Sequence, residues 1–233
     1  MKNLTKAVAA TSVALGLALP ALVSAQNALT LAMQLEPPIL DPTSGAAAAI
    51  DEVVYANLFE GLTRFQADGS VAPALATSWT ISDDGTLYTF KLAEGVTFHD
   101  GAAFTADDVK FSLERARAED SSNAQKALFT NIEEVTILSA SEVAVSLAQP
   151  DGAFITKMAW GDAVILDEAS AADAATNPIG TGPFKFDSWA RGSKITLKRN
   201  PDYWGEQASL DSAEFLFISD PNAAFAAIMS GQV

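Results

Sequence analysis

Residues 78–92, SWTISDDGTLYTFKL, spell a β-hairpin. Asp83-Asp84-Gly85 is turn chemistry, and Asp-Gly between two alternating runs is a strong short-range hairpin signal. In the second arm Leu87, Thr89 and Lys91 fall on one face and Tyr88, Phe90 and Leu92 on the other, the period-2 pattern of a strand with one side buried. Downstream, Thr105-Ala106-Asp107-Asp108 has capping-box spacing, with Asp in place of Glu at the third helical position. It opens a predicted helix through Val109, Phe111 and Leu113 to about Ala118. Residues 132–138 and 142–147 read as two more strands, 153–158 as a short helix, and the Ala- and Asp-rich 169–176 as surface loop or helix. Strands are expected at 184–189, 194–199 and 215–218, with a last helix over 222–229. Upstream, 62–65 is a strand before the turn Ala67-Asp68-Gly69. Residues 46–62 read as a helix, because Ile50, Val53, Val54, Leu58 and Phe59 recur at helical spacing and Asp51 and Glu52 suit its early dipole. Pro37-Pro38 and the loop Asp41-Pro42-Thr43-Ser44-Gly45 separate that helix from a first strand at 29–35. The alternation of strand-rich stretches with helices gives a mixed α/β class.

Composition narrows the chemistry. The chain has 233 residues, 49% of them apolar, enough for one large or two modest cores. Its formal charge is −15, which disfavours nucleic acid as a partner. It has no Cys and one His, His99, so thiolate nucleophiles, disulfides, Cys-based zinc sites and two-imidazole sites are excluded. Lys2 and Lys6 precede a short apolar run over 7–19, Pro20 ends it, and Val23-Ser24-Ala25 is a small-residue cleavage pattern. Residues 1–25 therefore read as a secretory signal peptide rather than a span, which needs about 20 apolar residues. With no Cys to carry a lipid anchor, the expected product is a soluble periplasmic protein.

The catalytic constellations fail one by one. His99 beside Asp100 suggests an oriented base, but neighbours in an extended segment point to opposite faces, and a turn residue packed near Phe98 is the alternative. Asp83-Asp84, Asp107-Asp108, Glu133-Glu134 and Asp167-Glu168 are adjacent pairs of the kind that cap turns and helices; a glycosidase needs two carboxyls facing each other across a cleft. No G-x-S-x-G elbow, S-x-x-K or EF-hand spacing occurs. Gly180-Thr181-Gly182-Pro183 lacks the residues of a dinucleotide or phosphate loop and reads as a tight turn. An exported carboxylate hydrolase stays open as the enzymatic alternative. Trp160, in Ala159-Trp160-Gly161-Asp162, is either core or an aromatic ligand wall next to a carboxylate.

Three stretches carry a family resemblance. They are 72–79 with 83–92; Gly95-Val96-Thr97-Phe98-His99-Asp100-Gly101 with 105–112; and 177–184 with Arg199-Asn200-Pro201-Asp202-Tyr203-Trp204-Gly205. In this order they resemble the extracytoplasmic solute-binding proteins of peptide/nickel-type ABC transporters, the dipeptide- and oligopeptide-binding proteins. The resemblance implies no covalent step, no cofactor and no metal, and makes His99 part of a structural hairpin signature. It implies a periplasmic-binding-protein-like fold in which this chain is lobe one with an inserted strand-rich subdomain, the second lobe missing. On that reading 26–45 and 178–233 share the lobe core, 46–177 form the inserted subdomain, and apolar surface around 223–229 lacks its partner. The implied partners are a peptide or related small solute, with a metal chelate, an opine or an oligosaccharide as other cargoes, and an inner-membrane ABC permease; the protein would act as a monomer. Ligand contacts are expected from Thr43, Ser44 and Gly45, which resemble the Thr-Ser-Gly loop of dipeptide-binding members, and from Trp160 and Asp162. The alternative is that Thr43 and Ser44 satisfy a turn and Asp162 is solvated.

Overall fold

A computed structural model describes residues 27–233; the signal-peptide reading lies outside them. The elements run β1 (Ala28–Met33), α1 (Ala48–Val54), β2 (Thr63–Phe65), β3 (Val71–Pro73), β4 (Ala76–Ile81), β5 (Leu87–Leu92), α2 (Ala106–Arg117), β6 (Ile132–Ser139), β7 (Glu142–Leu147), α3 (Phe154–Lys157), β8 (Phe184–Ala190), β9 (Lys194–Arg199), β10 (Ser212–Phe217) and α4 (Pro221–Met229). They form a mixed α/β fold with two four-stranded sheets, ordered β1-β10-β9-β8 and β4-β5-β7-β6, and a β2-β3 ribbon. In the first sheet β1 runs parallel to β10, and the remaining neighbours are antiparallel.

The hairpin at 78–92 forms with β4 and β5 antiparallel. The face of β5 carrying Tyr88, Phe90 and Leu92 is buried while Leu87 is exposed, and α2, packed on β6 and β7 of the same sheet, adds Val109, Leu113 and Ala116 to the same apolar cluster. Thr105 caps α2 as its spacing predicts: Thr105 Oγ1 accepts from the Asp107 amide, and the Asp108 carboxylate accepts from the Thr105 amide at 2.8 Å. A second apolar cluster joins Met33, Ile195, Leu197 and Phe215 of the first sheet to Ile50, Val53 and Val54 of α1.

The helix predicted over 46–62 spans only Ala48–Val54. Tyr55 is extended, and Ala56 adopts φ +57°, a left-handed conformation that stops an α-helix. The Tyr55 hydroxyl donates to Ala159 O at 2.6 Å, and the Ala56 amide donates to Phe59 O. Leu58 and Phe59 keep the helical-looking spacing because the turn returns them to the same core. Residues 46–177 therefore divide between the cores: α1, Leu58, Phe59, Val164, Leu166, Ala171 and Ala174 pack with the first sheet, while Leu62, Leu75 and most of the intervening apolar residues pack with the second.

Residues 163–166 alternate between the two cores. Ala163 and Ile165 enter the cluster under the second sheet, Val164 and Leu166 the cluster under the first. The Ile165 amide donates to Glu60 O at 2.9 Å, and Gly61 bridges Val164. At the chain end α4 is N-capped by Asp220, but Phe225, Ile228 and Met229 stand 65%, 58% and 71% exposed.

Candidate functional site

The loop before α1 is built around a buried carboxylate. Asp41 Oδ1 accepts from the Thr43 amide at 2.8 Å and from Thr43 Oγ1 at 2.6 Å. Arg115 of α2 donates to Asp41 Oδ2 at 3.1 Å and also to Thr43 Oγ1. Thr43 is thus buried with its hydroxyl fully used in holding the turn. Ser44 is half-buried, and no hydrogen bond reaches its hydroxyl among the described residues. Gly45 packs on Ile50, where an added Cβ would lie 2.5 Å from Ile50 Cδ1.

Trp160 and Asp162 flank Gly161, which packs against Asp51, the residue after Ile50 in α1. Trp160 follows α3 in an extended conformation, 44% exposed, and meets Phe65 of β2 edge-on with ring centroids 6.5 Å apart. Asp162 is only 8% exposed. Its carbonyl accepts from Asn123 Nδ2, but no other residue hydrogen-bonds its carboxylate among those described. Burial, reinforced by the nearby Asp51 carboxylate, pushes the Asp162 carboxyl up to about 6. Asp51 lies against Gly161, where a Cβ would stand 2.5 Å from Asp51 Oδ1; burial raises its carboxyl too. The two predicted groups therefore abut consecutive residues of α1, Ile50 and Asp51, and no hydrogen bond joins them among the described residues.

Sequence reasoning passed over Asp51, reading it only as a helix-dipole residue. It also missed Glu60, which lines a cavity of about 490 Å³ together with Tyr55, Arg64, Tyr203 and Trp204. The 8%-exposed Glu60 carboxylate accepts from Thr181 Oγ1, Tyr203 Oη and Trp204 Nε1 at 2.8–2.9 Å. Burial raises its carboxyl and the three donors oppose that. Tyr203-Trp204, adjacent in sequence and both polar-tipped, was the available signal: buried Tyr and Trp need an acceptor.

His99 is a clamp. Its Nδ1 accepts from the Gly180 amide at 3.2 Å and its Nε2 lies 3.1 Å from Gly182 O, so the neutral ring carries its proton on Nε2. Burial drops its pKa to about 4. Asp100 turns away to accept from the Ala102 amide. The clamped loop lies so close to 57–58 that a Cβ on Gly180 would stand 2.0 Å from Leu58 O, and one on Gly182 2.4 Å from Asn57 O. Glycine is required there for backbone approach. Among the described residues no cluster of three metal-ligating side chains occurs, and no helix is long and apolar enough to cross a membrane.

Comparison with known proteins gives this geometry its context. Residues 70–233 match the family described as bacterial extracellular solute-binding proteins, family 5 Middle. The glutathione-binding protein GsiB of Salmonella typhimurium is 31% identical over 198 residues, which are 83% of this chain and 38% of that relative. The chain thus spans well under half the length of the curated relatives it matches. Among solved structures, AgaA from A. tumefaciens in complex with agropinic acid is similar with TM-score 0.84 at 32% identity, over 88% of this chain and 43% of that one. NikZ from Campylobacter jejuni in complex with Ni(L-His) gives 0.81 at 31%, over 90% and 43%. DppA from Helicobacter pylori in complex with the peptide STSA gives 0.83 at 29%, over 88% and 45%.

Proposed function

The chain belongs to the bacterial extracellular solute-binding proteins, family 5, and on that premise we propose that the full-length protein is the periplasmic binding component of an ABC importer. It captures a peptide or a related small solute between two lobes and delivers it to an inner-membrane permease. Residues 1–25 direct export, and the protein acts as a monomer. Closure of two lobes on a ligand desolvates it and strengthens every polar contact. The glutathione, peptide, opine and nickel-chelate ligands named for its relatives define the panel of cargoes to try.

The observation that carries the ligand surface is Trp160, a large aromatic left 44% exposed beside the buried Asp162. The Thr43–Gly45 loop contributes through Ser44 and its backbone, because the Thr43 hydroxyl is already committed to Asp41 and Arg115. The experiment is to purify the full-length protein from the periplasm, identify what co-purifies by mass spectrometry, and titrate the delipidated, ligand-stripped protein calorimetrically with the panel. Saturable binding without turnover is expected. Trp160→Ala should weaken it by about 1–3 kcal/mol, the scale of burying one large side chain. Hydrolysis of a chromogenic substrate, or no saturable signal with any member of the panel, would overturn the reading.

A further inference from the structure

The cavity beside the β2-β3 ribbon has a volume of about 490 Å³, within the size range of small-molecule sites. Its walls are fixed in advance. The Tyr55 hydroxyl is tied to Ala159 O at 2.6 Å, and Tyr203 and Trp204 are tied to Glu60 at 2.8 and 2.9 Å, so a ligand would meet rings that are already ordered. Fully buried Phe59 lines it as well. The one cation of the lining is Arg64. Arg64 and Phe65 are successive residues of β2 and point to opposite faces, so Phe65 meets Trp160 while Arg64 turns to the cavity. Arg115, Arg117, Arg191 and Arg199 each donate to an oxygen of another residue. Arg64 alone among the arginines donates to none and joins no ion pair among the described residues. The buried Glu60 carboxylate, by contrast, is taken up by Thr181, Tyr203 and Trp204 and leaves little for a ligand cation.

We infer that this cavity is a second binding site, separate from the Trp160 surface, for a small monocarboxylate with a flat apolar body, its carboxylate taken by Arg64 and its body packed on Tyr203 and Trp204. The inference goes beyond the transport reading and does not rest on it. The guanidinium presents paired N–H donors that match the two oxygens of a carboxylate. The Tyr203 and Trp204 rings, 5.8 Å apart and tilted by 59°, offer aromatic area to a planar group. Glu206 also reaches the rim, yet of the two rim charges it is Arg64 that acts on Tyr55, Glu60 and Tyr203, favouring the ionisation of all three. A second carboxylate on the ligand would face Glu60 or Glu206, which restricts the class to monoanions. A cationic ligand would meet Arg64 as a like charge, and a neutral one would forgo the charge-assisted pair.

A matched pair of small probes tests this without knowledge of the cargo. Full-length protein labelled with ¹⁵N-arginine is titrated with phenylacetate and with its neutral isostere phenylacetamide, at constant ionic strength, and followed by calorimetry and by the arginine side-chain resonances. Phenylacetate should bind saturably and at least about tenfold more tightly than the amide, the worth of one charge-assisted contact. It should shift one Nε signal, the one missing from Arg64→Gln. In that variant the affinity for phenylacetate should fall to that for the amide with the melting temperature unchanged, because Arg64 is exposed and holds no other group of the described fold. Equal affinity for the two probes, no saturation, or an undiminished preference in Arg64→Gln overturns the inference. Displacement of phenylacetate by a saturating cargo from the panel also overturns it, by placing the probe on the cargo surface. If Arg64→Gln does not fold, Arg64→Lys takes its place: the loss of the forked donors should reduce the preference, and an undiminished one is equally fatal.

Discussion

At the scale of single residues, His99 and Asp162 titrate in overlapping pH ranges and act in opposite directions. The folded protein resists protonating His99, whose pKa falls from 6.5 to about 4. Its stabilising effect is complete above pH 6.5 and is lost as pH falls to about 4, to the extent of roughly 3 kcal/mol. Asp162 does the opposite: its carboxyl rises from 3.8 to about 6, so the fold keeps a proton that the unfolded chain releases, and stability falls as pH rises across that interval. Urea denaturation at pH 4.5, 5.5 and 7 separates them. Asp162→Asn should make stability climb more steeply with pH than in the wild type, and should gain most at pH 7. His99→Ala strands the Gly180 amide and Gly182 carbonyl; it should cost about 1–3 kcal/mol at pH 7, with the deficit shrinking toward pH 4. Parallel pH curves for all three proteins would show that neither group is held as described.

Elements differ in how plainly the sequence announces them. The β4-β5 hairpin and the cap of α2 were legible because their causes are local: Asp-Gly fixes a turn, and Thr105 reaches an amide two residues on. Thr105→Ala should accordingly lower stability by about 1 kcal/mol, measured by thermal melting, while Thr105→Ser should not. The end of α1 was illegible because apolar spacing reports burial, not conformation, and Leu58 and Phe59 are buried from a turn as they would be from a helix. Ala56 supplies the check: Ala56→Gly, at φ +57°, relieves a left-handed strain and should leave stability unchanged or raise it, whereas a helix continuing through 56 would lose about 1 kcal/mol. In the candidate site, Trp160 and Asp162 stood out by type, an aromatic and a carboxylate in one short break. Asp51 did not, because its approach to Gly161 spans 110 positions and is visible only once the chain is folded. The same holds for Thr43, whose hydroxyl looked available until Arg115, 72 positions away, was found on it.

For the molecule as a whole, α4 turns Phe225, Ile228 and Met229 outward on one helix face, the kind of exposed apolar surface that favours association. The 233-residue segment expressed on its own should bind a hydrophobic dye and self-associate in sedimentation, and Phe225→Ser with Ile228→Ser should reduce both without lowering the melting temperature. A wild-type chain that stays monomeric and dye-free at high concentration would contradict this. The two sheets raise a different question, whether they unfold separately. Each has its own apolar cluster, yet 163–166 feeds both by turns, and the Ile165 amide is tied to Glu60. Detaching either cluster pulls one side of that ribbon out of its packing, so partial opening gains little entropy for the contacts it gives up. The exchange clock of the backbone should register this. Deuterium should enter at Ile165 no faster than at the centres of β5 and β9, and the three should respond in step to small additions of denaturant, as sites do when only the global opening exposes them.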